Sequence, residues 1–108
     1  SSLAQSAAVA ALEDSDFISK SIILNTKGYK YLIGEFKNLN IKYIPSSTNF
    51  LTTIWDSQEQ ANVITNKLLN YGIIVRNLAS FGWPEYIRIS IGLEKENHRL
   101  IRYLNKIL

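Results

Sequence analysis

The chain contains no cysteine and a single histidine, His98, among its 108 residues. The first absence excludes disulfides, thiolate metal sites and a cysteine nucleophile, and it is compatible with a cytosolic home. The second excludes a multi-histidine metal centre, and no metal ligand set is assigned. Glycine and proline are few, five and two, so long unstructured linkers are not expected. No apolar run approaches the ~18 residues of a membrane span. The first residues lack the basic head of a signal peptide. The net charge of +3 is mild, and the lysines are scattered rather than clustered. Nothing in that pattern argues for nucleic acid.

What is present reads as an ordinary folded domain. Hydrophobic residues make up 46% and charged residues 19% of the chain, enough for one modest core. The opening SSLAQSAAVAALED (1–14) predicts a short Ala-rich helix with Ser1 or Ser2 as N-cap. So short a helix is marginal alone in water, and it reads as made to pack against further protein. Asp14 or Ser15 caps a longer helix over 15–39, with Ile18, Ile22, Tyr29, Leu32, Phe36 and Leu39 on one face. Asn25 and Gly28 fall on that face and suggest close helix packing around a satisfied amide. Asn40 is a plausible C-cap.

Residues 41–45 (IKYIP) and 49–55 (NFLTTIW) read as strands. A helix follows, capped by Asp56 or Ser57, with Ala61, Ile64 and Leu68 as its buried stripe. Strands are predicted at 73–76 (IIVR) and 86–91 (YIRISI), and a last helix at 94–108. Its inner face is Leu100, Ile101, Leu104, Ile107 and Leu108. The order α-α-β-β-α-β-β-α predicts an α+β two-layer domain, a mixed four-stranded sheet with helices on one face.

Two arginines bracket the aromatic loop RNLASFGWPEYIR (76–88). Strand alternation sends Ile87, Ile89 and Ile91 to the core and Tyr86, Arg88 and Ser90 to the other face. Arg76 ends its strand where the loop begins, so the two arginines converge if their strands are neighbours. An arginine fork pairs with a carboxylate or phosphate and stays charged at any relevant pH. The plainer alternative is that Arg88 pairs with Glu85 or Glu94, or is simply solvated.

Three stretches carry a resemblance: YIPSSTNF (43–50), LLNYGIIVRNLASFGWPEYIRISIGLEKENHRLI (68–101) and the opening 1–14. Together they resemble the C-terminal part of histidinol-phosphate aminotransferase, a pyridoxal-phosphate enzyme of the aspartate-aminotransferase fold. GIIVR followed by RISIG and an acid-Asn helix start is the specific core of the likeness, and GWPE and Asn49-Phe50 follow the same habit. The resemblance implies that 1–108 is the C-terminal portion of such an enzyme, mainly its small domain: 1–14 a short helix, 15–39 a connecting helix, 41–108 sheet and helices. It implies that Arg88 binds the substrate's anionic group, the α-carboxylate of glutamate in one half-reaction and the phosphate of histidinol phosphate in the other. Arg76 would help hold the phosphate or distal acid, and Asn49 would face the active-site cleft. The reaction implied converts histidinol phosphate and 2-oxoglutarate to imidazole acetol phosphate and glutamate, in histidine biosynthesis.

The Schiff-base lysine, the aspartate on the pyridine nitrogen and the cofactor's phosphate donors belong, in the family, to a large domain upstream. The lysines here, such as Lys20, Lys27 and Lys95, read as solvated helix lysines. No catalytic or cofactor-binding residue is therefore assigned in this chain, and the chain alone is expected to be inactive. A cytoplasmic homodimer is implied for the parent, with no membrane or nucleic-acid partner. The isolated domain is expected to self-associate through the surface that met the large domain. Other readings remain: an aromatic-amino-acid aminotransferase, a threonine-phosphate decarboxylase, or a free-standing module for a small acid or RNA with Phe50, Trp55 and Tyr86 stacking bases.

Overall fold

The computed structural model describes residues 25–46 and 49–108. The predicted helix over 1–14, and the first part of the one over 15–39, lie outside the described residues. Helix α1 covers 25–38. Strands β1 (Lys42–Ile44) and β2 (Phe50–Ile54) follow, then helix α2 (Gln58–Asn70), strand β3 (Arg76–Asn77), a 3-10 turn (Ala79–Phe81), strand β4 (Tyr86–Ser90) and helix α3 (Glu94–Ile107).

The helix ends follow from local chemistry. Ser57 caps α2, its hydroxyl accepting from the Gln60 amide at 3.1 Å, while the Gln60 side chain accepts from the Asp56 amide at 2.9 Å. At its C-terminus α2 closes in a Schellman arrangement. The Ile73 amide donates to the Leu68 carbonyl at 2.9 Å and the Gly72 amide to that of Leu69 at 2.9 Å. Gly72 supplies the left-handed backbone this needs, φ 78°. Helix α1 ends the same way. Asn40 takes the left-handed position at φ 57°, and the Ile41 amide donates back to Phe36 at 2.8 Å. Phe36 and Ile41 are both buried, which is the apolar contact that usually accompanies the motif.

The four strands lie in the order β1-β2-β4-β3, and every pairing is antiparallel. The sheet is thus not mixed in its pairings. Helix α2 carries the chain from β2 past one strand position, and β4 fills the gap as the partner of both. The strand predicted over 73–76 is shorter and later, pairing only at Arg76 and Asn77. The helix-ending bond takes the amide of Ile73, and Ile74 is 84% exposed.

The core lies between the sheet and the helices. Leu51, Ile87 and Ile89 meet Leu32 and Phe36 of α1, Ala61, Ile64 and Leu68 of α2, and Leu100, Ile101 and Leu104 of α3. The stripe expected on α2 is buried; of that expected on α1, Leu32 and Phe36 are buried, Tyr29 and Leu39 are half-buried, and Ile18 and Ile22 lie outside the described residues. On α3 the stripe ends early: Ile107 is half-buried and Leu108 is exposed.

One buried polar chain ties the sheet together. The Trp55 indole N–H donates to the Thr53 hydroxyl at 2.8 Å, and that hydroxyl donates to the Ile87 carbonyl at 3.0 Å. Thr53 is fully buried. Thr53→Val keeps the shape but strands the indole N–H, at an expected cost of about 1–3 kcal/mol. Denaturant unfolding should show the loss, with much of it recovered in the double variant Thr53→Val, Trp55→Phe. A double variant no more stable than the single would show that the hydroxyl is not what satisfies the indole.

Candidate anion-binding face

The loop between the two arginines is a closed hairpin connection. Leu78 donates its amide to the Tyr86 carbonyl at 3.0 Å, and Trp83 donates back to Leu78 at 3.1 Å. The Asn77 side chain accepts from the Ala79 amide at 2.8 Å, an Asx-type turn, and donates to Asn62 of α2 at 2.8 Å. Gly82, at φ 86°, ends the 3-10 turn.

This hairpin sets the register. Arg76 stands directly opposite Arg88, and Arg88 directly opposite Thr52. Opposed residues share a sheet face, with Cβ atoms about 4.5–5.5 Å apart. Ile44 is opposite Thr52 in turn. A single row, Ile44, Thr52, Arg88, Arg76, therefore crosses the face that turns away from the helices. Phe50 and Ile54 flank it on β2 and Tyr86 and Ser90 on β4. The two arginines that bracket the loop in sequence are brought together.

Like charges opposed on neighbouring strands repel. Among the described residues no carboxylate relieves them. The acid–base side-chain contact seen there sets His98 Nε2 3.9 Å from a Glu94 carboxylate oxygen, on α3. Glu85 gives its backbone carbonyl to the Trp55 amide. The plain pairing of Arg88 with Glu85 or Glu94 is thus not formed. Each guanidinium instead lies over an aromatic ring: Arg76 over Phe81 at 5.1 Å from the centroid, Arg88 over Phe50 at 5.0 Å. Arg88 is half-buried on a central strand, and Arg76 is exposed at the edge.

Asn49 stands apart from this row. It precedes β2 by one residue and is exposed, and its carbonyl accepts from the Ile91 amide at 2.8 Å. The face contains residues that strand alternation alone did not single out. Thr52 is one of them: its place opposite Arg88 depends on the β2–β4 pairing. Phe81 gave no signal, since its contact depends on how the loop closes.

The helical side carries other hollows, and none of those described includes Arg76 or Arg88. An open depression of 800 Å³ is lined by Glu94, Lys95, His98, Arg99 and Arg102 of α3. A smaller one, 220 Å³, lies between α1 and α3. There Tyr31 stacks on His98, ring centroids 4.3 Å apart. Burial, and then the nearby Glu35 carboxylate, push the Tyr31 phenol above its ordinary 10.0. Every described lysine is exposed. None has the desolvated setting that lets an amine act as a nucleophile near neutral pH. Among the described residues no group of three or more acids and histidines is placed to hold a metal ion, and no helix is long and apolar enough to cross a membrane.

Residues 1–104 match the family model described as aminotransferase class I and II. The chain is 44% identical over 108 residues to histidinol-phosphate aminotransferase 2 of Ralstonia nicotianae, covering 99% of the chain and 29% of that protein. It is 43% identical over 107 residues to the histidinol-phosphate aminotransferase of Methylobacillus flagellatus, covering 99% of the chain and 28% of the relative. In fold it is similar to the crystal structure of histidinol-phosphate aminotransferase from Sinorhizobium meliloti in complex with pyridoxal-5'-phosphate, at a TM-score of 0.76 and 23% identity, covering 94% of this chain and 29% of that one. The chain thus spans under a third of the length of these relatives. The match across nearly all of its residues establishes that the chain belongs to the class I and II aminotransferase family.

Proposed function

We propose that this chain is the C-terminal small domain of a pyridoxal-phosphate-dependent aminotransferase, and that it supplies the anion-binding wall of the active site. The substrate proposed is histidinol phosphate, with glutamate and 2-oxoglutarate as the exchanging pair. The observation that carries the reading is the opposition of Arg76 and Arg88 with, among the described residues, no carboxylate between them. Such a pair is at its most stable with an anion bound, and a phosphate dianion suits two forks better than a monoanion does. The names of the relatives favour the same substrate.

Each residue then has a role of its own. Arg88, half-buried in mid-sheet, takes the anionic group of each substrate in turn, the glutamate α-carboxylate or the phosphate, by paired hydrogen bonds. Arg76, exposed at the edge, adds the second fork that the phosphate needs. Thr52 stands beside Arg88 as a hydroxyl donor. Asn49 is proposed to border the cleft from the end of β2 rather than to join the clamp. Pyridoxal phosphate, where bound, supplies the electron sink of transamination. The described lysines are all solvated and do not fit it, so its site is proposed to belong to parts of the parent outside this chain. The chain by itself is accordingly proposed to be inactive, and the parent to be a cytoplasmic dimer.

Binding across the cleft would draw this domain toward the rest of the parent, exclude water and fix the substrate's reacting end. Phe81 and Trp83, both more than half exposed, lie on the loop that such closure would cover. The test is a comparison of amino donors in the full-length protein. Histidinol phosphate should be used far more efficiently than its dephosphorylated form, and Arg76→Ala should erode that preference mainly through KM. Equal use of the two, or a preference for free aromatic amino acids, would move the chain to another branch of the family.

A further inference from the structure

Two planar cations held opposite each other, with no acid among the described residues to pair with them, ought to splay apart. We infer that Phe81 and Phe50 are positioning residues that keep the two forks aimed at one anion. The inference rests on the reading of Arg76 and Arg88 as an anion clamp, and adds to it the groups that hold the clamp in shape.

The geometry is the same at both arginines. Each guanidinium carbon lies within cation–π range of a phenyl ring centroid, 5.1 Å for Arg76 over Phe81 and 5.0 Å for Arg88 over Phe50. A ring attracts the flat face of the cation through its quadrupole. It takes no N–H in doing so, and all the edge donors of the fork stay free for a ligand. A carboxylate would hold the arginine equally well but would occupy the donors that the substrate needs. An aromatic support therefore solves a problem that an acid cannot.

The two rings reach their arginines from rigid places. Phe50 is on β2 opposite Ser90, two residues along from Thr52, the partner of Arg88. That is the diagonal position, within reach of an aromatic side chain. Phe81 closes the 3-10 turn, its amide donating to the Leu78 carbonyl at 3.0 Å. Phe81 is 55% exposed and takes no part in the buried core. Its contact with Arg76 is therefore not a by-product of core packing.

The test uses the full-length protein, with inorganic phosphate as competitive inhibitor. Phe81→Leu keeps the apolar bulk and removes the π face. It is expected to raise the Ki of phosphate and the KM for the phosphorylated donor by about 5-fold, leaving kcat unchanged. Phe81→Tyr should restore both. Should the leucine variant fold poorly, fluorinated phenylalanine at 81 weakens the quadrupole with little change of shape, and Ki should climb with each added fluorine. Phe50 is expected to show the same trend. If Phe81→Leu and the fluorinated series bind phosphate like the parent while Arg76→Ala does not, the aromatic support is wrong and the clamp stands. If Arg76→Ala and Arg88→Ala also leave phosphate binding unchanged, the clamp itself is wrong.

Discussion

Arg88→Lys in the full-length protein is expected to lower kcat/KM by about 2–5 kcal/mol, from some tens-fold to thousands-fold. The lysine keeps the charge, so attraction of an anion to the face survives. What it loses is the planar fork, whose two parallel N–H groups match a carboxylate or phosphate edge. Arg88 is half-buried on β4 with Thr52 on one side and Arg76 on the other, and a flexible ammonium there cannot recover both bonds. Arg76→Lys should cost less, because the edge position is exposed and the second fork only assists. Stability should move the other way. Removing one of two opposed cations relieves repulsion, so Arg88→Leu is expected to melt no lower than the unaltered protein while binding no anion. Steady-state kinetics and a thermal melt together give the answer. An unchanged kcat/KM would show that Arg88 is not the clamp, and a lowered melting point would show that it supports the fold instead.

The outward placement of Arg88 was legible to an unusual degree, because strand alternation is a local property. Ile87 and Ile89 had to be buried, so Arg88 had to face away. The partnership of Arg88 with Arg76 was only permitted by the sequence. It depended on β3 pairing with β4, and that depended on a helix end that uses the amide of Ile73 and delays the strand to Arg76. The same helix end explains why IIVR, apolar and β-branched, does not pair over its length: its propensity yields to the hydrogen bonds of the turn. The strand arrangement was less legible. A helix between strands allows a parallel pair, and nothing local says that a later strand will be inserted between them. Asn97 was visible as part of the acid-Asn helix start, but its burial was not. It lies beside Leu100, Ile101 and Leu104 on the inner face of α3, where a polar residue is tolerated only with partners.

Those partners give the second large effect, at Gly28. Helix propensity alone says that Gly28→Ala should stabilise α1 by about 1 kcal/mol. The packing says the reverse. A Cβ at Gly28 would stand 2.6 Å from Ile91 Cγ2 and 2.7 Å from Asn97 Nδ2. Asn97 is only 4% exposed and cannot step aside freely. Its side chain accepts from the Gly92 amide at 2.9 Å and donates to the Gly92 carbonyl at 3.1 Å. Overpacking of this kind costs about 1–3 kcal/mol, and losing one of those bonds adds about 1–3 kcal/mol for the stranded amide. The expected outcome is a net loss of about 2 kcal/mol or more, in spite of the better helix former. The displaced turn follows directly on the strand that carries Arg88, so anion affinity should weaken along with stability. Gly34→Ala is the control on the same helix: Gly34 is exposed and nothing lies within 4 Å of its would-be Cβ. There propensity acts unopposed, and a gain of up to about 1 kcal/mol is expected. Denaturant unfolding of the two variants should therefore give opposite signs. Equal gains would mean that α1 can lift off α3 without cost, and that the Gly28–Asn97 contact does not hold the seam closed.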